Sequence, residues 1–385
     1  MLVEMWDTLR HNLFKPLILF FYLGFSIPIL GVPFEFPKAV YQGLVIYLLV
    51  AIGWHGGAEL AQLSGRELGQ AMMFMGVGFL TNLSIGLLAF WILRTFTKLR
   101  RIDAATVSAY YGSDSAGTFV TAVGVLTVAG IKYAAFMPVM LAVMEIPGCL
   151  VGLYIVSRLR STGMDALGNM PGEKGYDPTA QRPASEDDHP GESSRDTVAP
   201  HKVSNAELVR EVCLNPGLFL LFGGILIGWV THAQSLHPKF AEDFLFGSMF
   251  QGLLCMFLLE MGITAARRLK DLGTAGRRFI CFGLLAPNLF ATLGIYVAHA
   301  FSHASGICFD IGTYALFAVL CGSASYIAVP AIQRLAIPEA SPSLPLAASL
   351  GLTFTYNVTI GIHLYILVAR WLIRAFPVVQ TSLGG

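Results

Sequence analysis

Two short polar runs interrupt stretches of the chain that are otherwise apolar. The first is Tyr110-Tyr111-Gly112-Ser113-Asp114-Ser115-Ala116-Gly117-Thr118; the second, 210 residues later, is Cys321-Gly322-Ser323-Ala324-Ser325-Tyr326. On that offset Gly112, Ser113 and Ser115 correspond to Gly322, Ser323 and Ser325. A helix interrupted at membrane depth frees backbone N–H and C=O groups, which are tolerated only where they line a cavity or are covered by protein. Freed N–H groups at a half-helix N-terminus attract an anion, glycine lets the backbone approach it, and the serine hydroxyls add donors and acceptors. Freed carbonyls, together with the Thr118 hydroxyl and the carboxylate of Asp114, suit a hard monovalent cation. A single motif of this kind is as readily explained by small residues letting helices pack closely. A matched pair in two halves of one chain points instead to a binding site.

Three acids fall within apolar segments: Asp114, Glu145 and Glu260. A carboxylate at the centre of a membrane helix costs at least about 2.5–3.5 kcal/mol, so such residues are functional candidates by default. Asp114 is the first choice. Glu145 precedes Pro147 and could line the same cavity; the other reading is a protonated carboxyl bonded to a carbonyl that the proline frees. Glu260 lies near the end of its segment, where it would reach toward water. His299 and His303 have the i,i+4 spacing of a metal pair but no carboxylate or cysteine companion, and they are not taken as a metal site. The six cysteines show no metal-binding spacing and read as small buried hydrophobes. No nucleophile triad, P-loop or dinucleotide fingerprint stands in a credible context, so enzymatic activity is not expected.

Composition sets the frame for these residues. The chain is 55% hydrophobic and 13% charged, whereas soluble domains are about 25% charged. It reads as an all-α, polytopic membrane protein. The start of the chain, polar to Lys15 and without a small-residue cleavage site, does not look like a cleaved signal, and its first apolar run reads as a membrane helix. Segments of spanning length occur at about 16–32, 38–56, 70–93, 104–126 and 134–158, then at 214–232, 244–264, 278–300, 311–333 and 344–374. Between the two sets, Ser161 to Asn205 is rich in acidic, Pro and Ser residues and is expected to be disordered. The expected organisation is a first five-helix repeat over 1–160, a disordered linker over 161–206 and a second five-helix repeat over 207–385.

With ten spans and a cytoplasmic linker, 18 of the 25 Lys and Arg fall on the inside, and 14 against 7 once the linker is set aside. The positive-inside rule then places both termini outside. An odd number of helices per half forces the halves into opposite orientations, giving a five-plus-five inverted repeat with broken fourth and ninth helices. A second anchor supports it: Leu153-Tyr154-Ile155-Val156 with Arg158 recurs as Leu364-Tyr365-Ile366-Leu367 with Arg370, nearly the offset of the two polar runs.

Taken together, several motifs resemble the sodium-dependent bicarbonate transporter family. They are Arg101-Ile102-Asp103-Ala104 leading into Gly112–Thr118, Glu145-Ile146-Pro147, Gly53 with Gly56-Gly57, Met261-Gly262, and Ser323-Ala324-Ser325 with Pro330. The resemblance covers nearly the whole chain. It implies a ten-helix inverted repeat, usually a homotrimer in the plasma membrane, that holds Na⁺ and bicarbonate between the broken helices and moves a core against a gate. It also implies a PII-like signalling protein as a partner on the cytoplasmic face. The chain departs from the best-known cyanobacterial members in carrying Tyr326 at an Asp position, Ala328-Val329 in place of a small pair, and Asp114 where those members are apolar. The expected function is therefore Na⁺-coupled bicarbonate symport. The alternatives are Na⁺- or proton-coupled transport of another small anion on the same fold, or a passive channel or sensor.

Overall fold

A computed structural model describes residues 14–179, 216–233, 243–274 and 276–378. Among these residues the structure is helical, without strands. The first set of helices is α1 (Pro16–Ile29), α2 (Lys38–Leu60), α3 (Gly65–Phe96), α4 (Arg101–Tyr111), α5 (Ala116–Val128) and α6 (Met137–Ser161). The second is α7 (Pro216–Ala233), α8 (Met249–Leu269), α9 (Arg277–Ser305), α10 (Ile311–Gly322), α11 (Ala328–Ala336) and α12 (Ser343–Ala375), the last containing π-helical stretches at Ala347–Phe354 and Asn357–Gly361.

Among the described residues, seven helices are long and apolar enough to cross a membrane: α2, α3, α6, α7, α8 with its flanking turns, α9 and α12. The other three segments of the sequence reading are helical in a different form. With 14 residues, α1 extends about 21 Å at 1.5 Å per residue, short of a hydrocarbon core of about 30 Å. The remaining two are the interrupted pairs α4/α5 and α10/α11.

Local sequence explains where the long helices begin. Ser64 and Glu67 form a capping box at the start of α3: the Ser64 N–H donates to Glu67 Oε2 at 2.8 Å and Glu67 N–H donates to Ser64 Oγ at 3.4 Å. Asp103 sits in the first turn of α4 and accepts from Arg100 at 2.7 and 3.0 Å.

The helices pack in two groups. In one, α1 crosses α8 and α2 crosses α7, so the first helix of each set meets the second helix of the other. Both crossings bring backbone against backbone. A Cβ on Gly57 of α2 would lie 1.9 Å from the Ile225 carbonyl oxygen of α7, and one on Gly262 of α8 would lie 2.2 Å from the Phe21 carbonyl oxygen of α1. In the other group α3 and α6 pack around α4, while α9 and α12 pack around α10. The two interrupted helices are thereby enclosed: Ile102–Tyr111 of α4 and Gly312–Gly322 of α10 are buried throughout.

The segment expected to be a disordered linker is ordered in its first part, and the correction has a physical cause. Asp165 accepts from the backbone N–H groups of Leu167, Asn169 and Asp177 at 3.0, 2.7 and 3.0 Å. Glu173 accepts from Met170 N–H and Arg101 N–H, both at 2.9 Å. Carboxylates, not aliphatic side chains, hold this loop, so a criterion based on apolar content does not detect it. The loop joins a charged cluster in which Arg100 donates to the Leu167 carbonyl at 3.1 Å and Arg160 pairs with Glu339 at 2.8 Å. Asp103 Oδ1 in turn accepts from Ser341 N–H at 2.9 Å, tying α4 to the turn between α11 and α12. Residues 180–206 of the expected linker lie outside the described residues.

Two predictions follow from this packing. Gly57→Leu places side-chain atoms inside a backbone contact that cannot yield, and should destabilise by the roughly 1–3 kcal/mol typical of overpacking or more. Gly223→Leu on the same crossing partner, where a Cβ meets nothing within 4 Å, should be near neutral; thermal unfolding in detergent compares them. For the loop, burial raises the Asp165 pKa, but the donors of Asp177, Asn169 and Leu167 outweigh it, so the carboxyl titrates below the usual Asp value of 3.8. A depressed folded-state pKa gives stability that is complete above the unfolded value and lost as pH falls through the folded one. Amide exchange at Leu167, Asn169 and Asp177 should therefore stay slow at neutral pH and accelerate only below about pH 3.8, whereas Asp165→Ala should expose the same amides at neutral pH.

Candidate functional site

The two interruptions meet. Helix α4 stops at Tyr111 and α5 begins at Ala116, with Ser115 as its N-cap accepting from Thr118 N–H at 3.2 Å. Helix α10 stops at Gly322, and the chain runs through Ser323–Ile327 before α11 begins. Ser325 N–H donates to the Tyr110 carbonyl at 2.8 Å, so one interruption satisfies a carbonyl that the end of α4 leaves open. Neighbouring helices satisfy others. Ser113 Oγ donates to the Glu145 carbonyl at 2.8 Å and Asn82 Nδ2 to the Met144 carbonyl at 2.9 Å, in the turn of α6 that precedes Pro147. On the other side Asn357 Nδ2 donates to the Gly322 carbonyl at 2.9 Å, and Asn357 is itself held by the Tyr365 hydroxyl at 2.6 Å.

The residues singled out in the sequence divide into two groups. Gly112 and Gly322 face the scaffold. A Cβ on Gly112 would lie 2.8 Å from Gly86 Cα and 3.2 Å from Gly148 Cα; one on Gly322 would lie 2.7 Å from the Pro287 carbonyl oxygen and 2.8 Å from Ala291 Cβ. Their small size admits α3, α6 and α9 to the interruptions, and a side chain there would disturb helix packing before reaching a ligand. Ser113, Ser115 and Thr118 are engaged as well, with Thr118 Oγ1 donating to Ser115 Oγ at 2.9 Å. Ser325 Oγ accepts from Val329 N–H at 3.4 Å.

A smaller set of groups is left without partners. Both carboxylate oxygens of Asp114 and the Ser323 hydroxyl are buried and make no hydrogen bond to another residue. Asp114 is fully buried, and it interacts electrostatically with Glu145 on α6 and with Cys321 at the end of α10. Glu145 is also buried and lines a narrow crevice with Leu49, Ala116, Leu218 and Ile327, between α2 and α7 on one side and the interruptions on the other. Two neighbouring carboxylates in a low-dielectric setting are stable only with a cation or a shared proton. With hydroxyls beside them they form an all-oxygen donor set suited to a hard cation.

Sequence reasoning marked Tyr326 only as a departure, and the structure gives it a place. Its hydroxyl faces Ser115 and Gly117, and a Cβ on Gly117 would lie 1.8 Å from that oxygen, so Gly117 is what admits the tyrosine. On its other side Tyr326 borders a cavity of about 420 Å³ lined also by Tyr41, Tyr110, Glu260, Arg268, Gln333 and Arg334. Within it the Tyr110 hydroxyl donates to Gln333 Oε1 at 2.7 Å. Tyr41 stacks on Phe257 with ring centroids 6.1 Å apart, and Arg268 pairs with Asp271 at 3.3 Å. Sequence spacing gave no signal for Arg268 and Arg334, which come together only through folding.

A family model described as the Na⁺-dependent bicarbonate transporter superfamily matches residues 16–370. No curated protein matches the chain.

The unpartnered carboxylate makes a prediction that needs no transport assay. A ligand that binds only the folded state stabilises it by about 2.7 kcal/mol at a hundred times its dissociation constant. Thermal unfolding of the purified protein should thus shift upward with added Na⁺ at constant ionic strength. Asp114→Asn should lose that shift, and should be more stable than the parent in Na⁺-free buffer because a buried charge has gone.

Proposed function

The chain belongs to the Na⁺-dependent bicarbonate transporter superfamily, and from that membership we propose that it is a secondary active transporter carrying bicarbonate into the cell with Na⁺. The observation that carries the coupling is Asp114, whose two buried oxygens have no partner beside a second buried carboxylate, Glu145. Na⁺ would be held there with help from the Ser323 hydroxyl and Thr118. The anion would sit beside it, between Ser113 and Ser115 on one side and Ser323 and Ser325 on the other, while Gly112 and Gly322, expected from the sequence to meet it, serve the helix packing instead. A cation that neutralises the carboxylates removes their repulsion of an incoming anion, so each ligand raises the affinity for the other.

The same reading counts α1 and the two interrupted pairs as crossings, making ten in a five-plus-five inverted repeat with both termini outside. The reciprocal crossings of α1 with α8 and α2 with α7 support it, as do the matched interruptions and the distribution of Lys and Arg. Helices α1, α2, α7 and α8 would form the gate, and the enclosed interruptions the core that slides against it. The cavity of about 420 Å³ beneath Tyr326 would be the cytoplasmic path, with Arg268 and Arg334 attracting the anion. Residues 1–160 and 207–385 would be the two repeats and 161–206 the connection between them. The homotrimer, the plasma-membrane location and a PII-like cytoplasmic partner enter the proposal through family resemblance alone.

A second reading keeps the fold but couples protons, because Asp114 and Glu145 could share one. Uptake of labelled bicarbonate into proteoliposomes separates the two. An inward Na⁺ gradient should drive accumulation above equilibrium, collapsed by a Na⁺ ionophore and unaffected by an imposed pH gradient. Accumulation that follows the pH gradient would establish proton coupling, and uptake that never exceeds equilibrium would indicate a channel. Absence of bicarbonate flux under any gradient would overturn the substrate assignment.

A further inference from the structure

The last two turns of α9 carry His299 and His303 on one face, at the end of the helix opposite Arg277 and Arg278. Their Nε2 atoms converge to 3.2 Å with ring planes at 87°. His299 is buried and its Nδ1 lies 3.1 Å from the Tyr314 hydroxyl on α10, whereas His303 is open to solvent. We propose that this pair is a binding site for a borderline divalent cation of the Zn²⁺ type, ligated by the two Nε2 atoms.

Three features support the assignment. Zinc–imidazole bonds of about 2.0–2.1 Å in tetrahedral geometry place two nitrogens roughly 3.3 Å apart, close to the separation of the two Nε2 atoms. The contact between Nδ1 of His299 and Tyr314 fixes the ring and directs the Nε2 lone pair outward, as partners of ligating histidines do elsewhere. The exposed edge of His303 provides an entry route. Among the described residues no group of three His, Cys, Asp or Glu converges to hold a metal. Water would fill the remaining positions, making the site an open, exchangeable one rather than one that folds the protein. The competing arrangement is a plain Nε2–H···Nε2 hydrogen bond, which requires opposite tautomers on the two rings.

The full-length protein purified in detergent, titrated with Zn²⁺ by calorimetry, tests the proposal. One saturable site per chain is expected. Tyr314→Phe should weaken it by roughly 10–100-fold while preserving the stoichiometry. His303→Ala, at an exposed position where folding is not at stake, should weaken it further still. Cys308→Ser, which removes the thiol nearest Tyr314, should leave it unchanged. Absence of saturable binding in the parent protein would overturn the assignment in favour of the hydrogen-bonded pair. Binding that survives His303→Ala, or that disappears in Cys308→Ser, would place the metal elsewhere and overturn it equally.

Discussion

An interrupted helix inside a bilayer must have its open backbone groups covered by protein, since each one left unsatisfied costs several kcal/mol. The rest of this structure follows from that requirement. Helices α4 and α10 are buried along nearly their whole length, which takes α3, α6, α9 and α12 as a surrounding wall. Side chains on both sides serve individual carbonyls: Ser113 in the first interruption and Asn82 on α3 serve α6, and Asn357 on α12 serves the end of α10. The hydrogen bond from Ser325 N–H to the Tyr110 carbonyl makes each interruption part of the other's solution. Beside these paired groups, both oxygens of the buried Asp114 carboxylate make no hydrogen bond to another residue.

Enclosure of the interruptions leaves α1, α2, α7 and α8 as a separate layer. They contact one another through glycines packed so closely that a Cβ would fall about 2 Å from the facing backbone, and dispersion contacts there take the place of the hydrophobic effect that is absent between helices in lipid. The charged cluster of Arg100, Asp103, Arg160 and Glu339 ties the opposite group together at its own end, joining α4 and α6 to the turn that follows α11. The two groups meet at the crevice that holds Glu145 and where α8 packs on α12.

Much of this was legible in the sequence because interruptions and apolar runs are local signals. The positions of the breaks and the proline after Glu145 could be placed before any contact was known. What a glycine touches is not local. Gly112 and Gly322 were expected to approach a ligand, yet Gly86, Gly148 and Pro287 occupy that side of them, and only the crossing of distant helices determines this. The loop from Met164 to Asp177 escaped notice for a related reason. Its order comes from two carboxylates, each collecting several backbone donors, and hydrogen bonding of that kind has no counterpart in an apolar count. Arg268 and Arg334 lie 66 residues apart, and neither has a sequence companion that would have linked them to one cavity.

The place of Tyr326 bears on how the family's chemistry is rearranged in this chain. A tyrosine supplies a hydroxyl where the resemblance leads one to expect a carboxylate, and the missing negative charge reappears across the junction as Asp114. The exchange is not a simple swap of two side chains. Tyrosine is longer than aspartate, and its oxygen reaches the backbone of α5 only because Gly117 carries no Cβ. Its ring then rests edge-on against Phe354 at 5.8 Å and closes the inner end of the cavity. Asp114, for its part, faces α6 rather than the cavity, and this brings it near Glu145. Relative to the family pattern, the charge thus lies away from the cavity and toward the crevice that holds Glu145, leaving a neutral hydroxyl at the cavity. The Tyr326 ring stands between the buried Asp114 and the cavity.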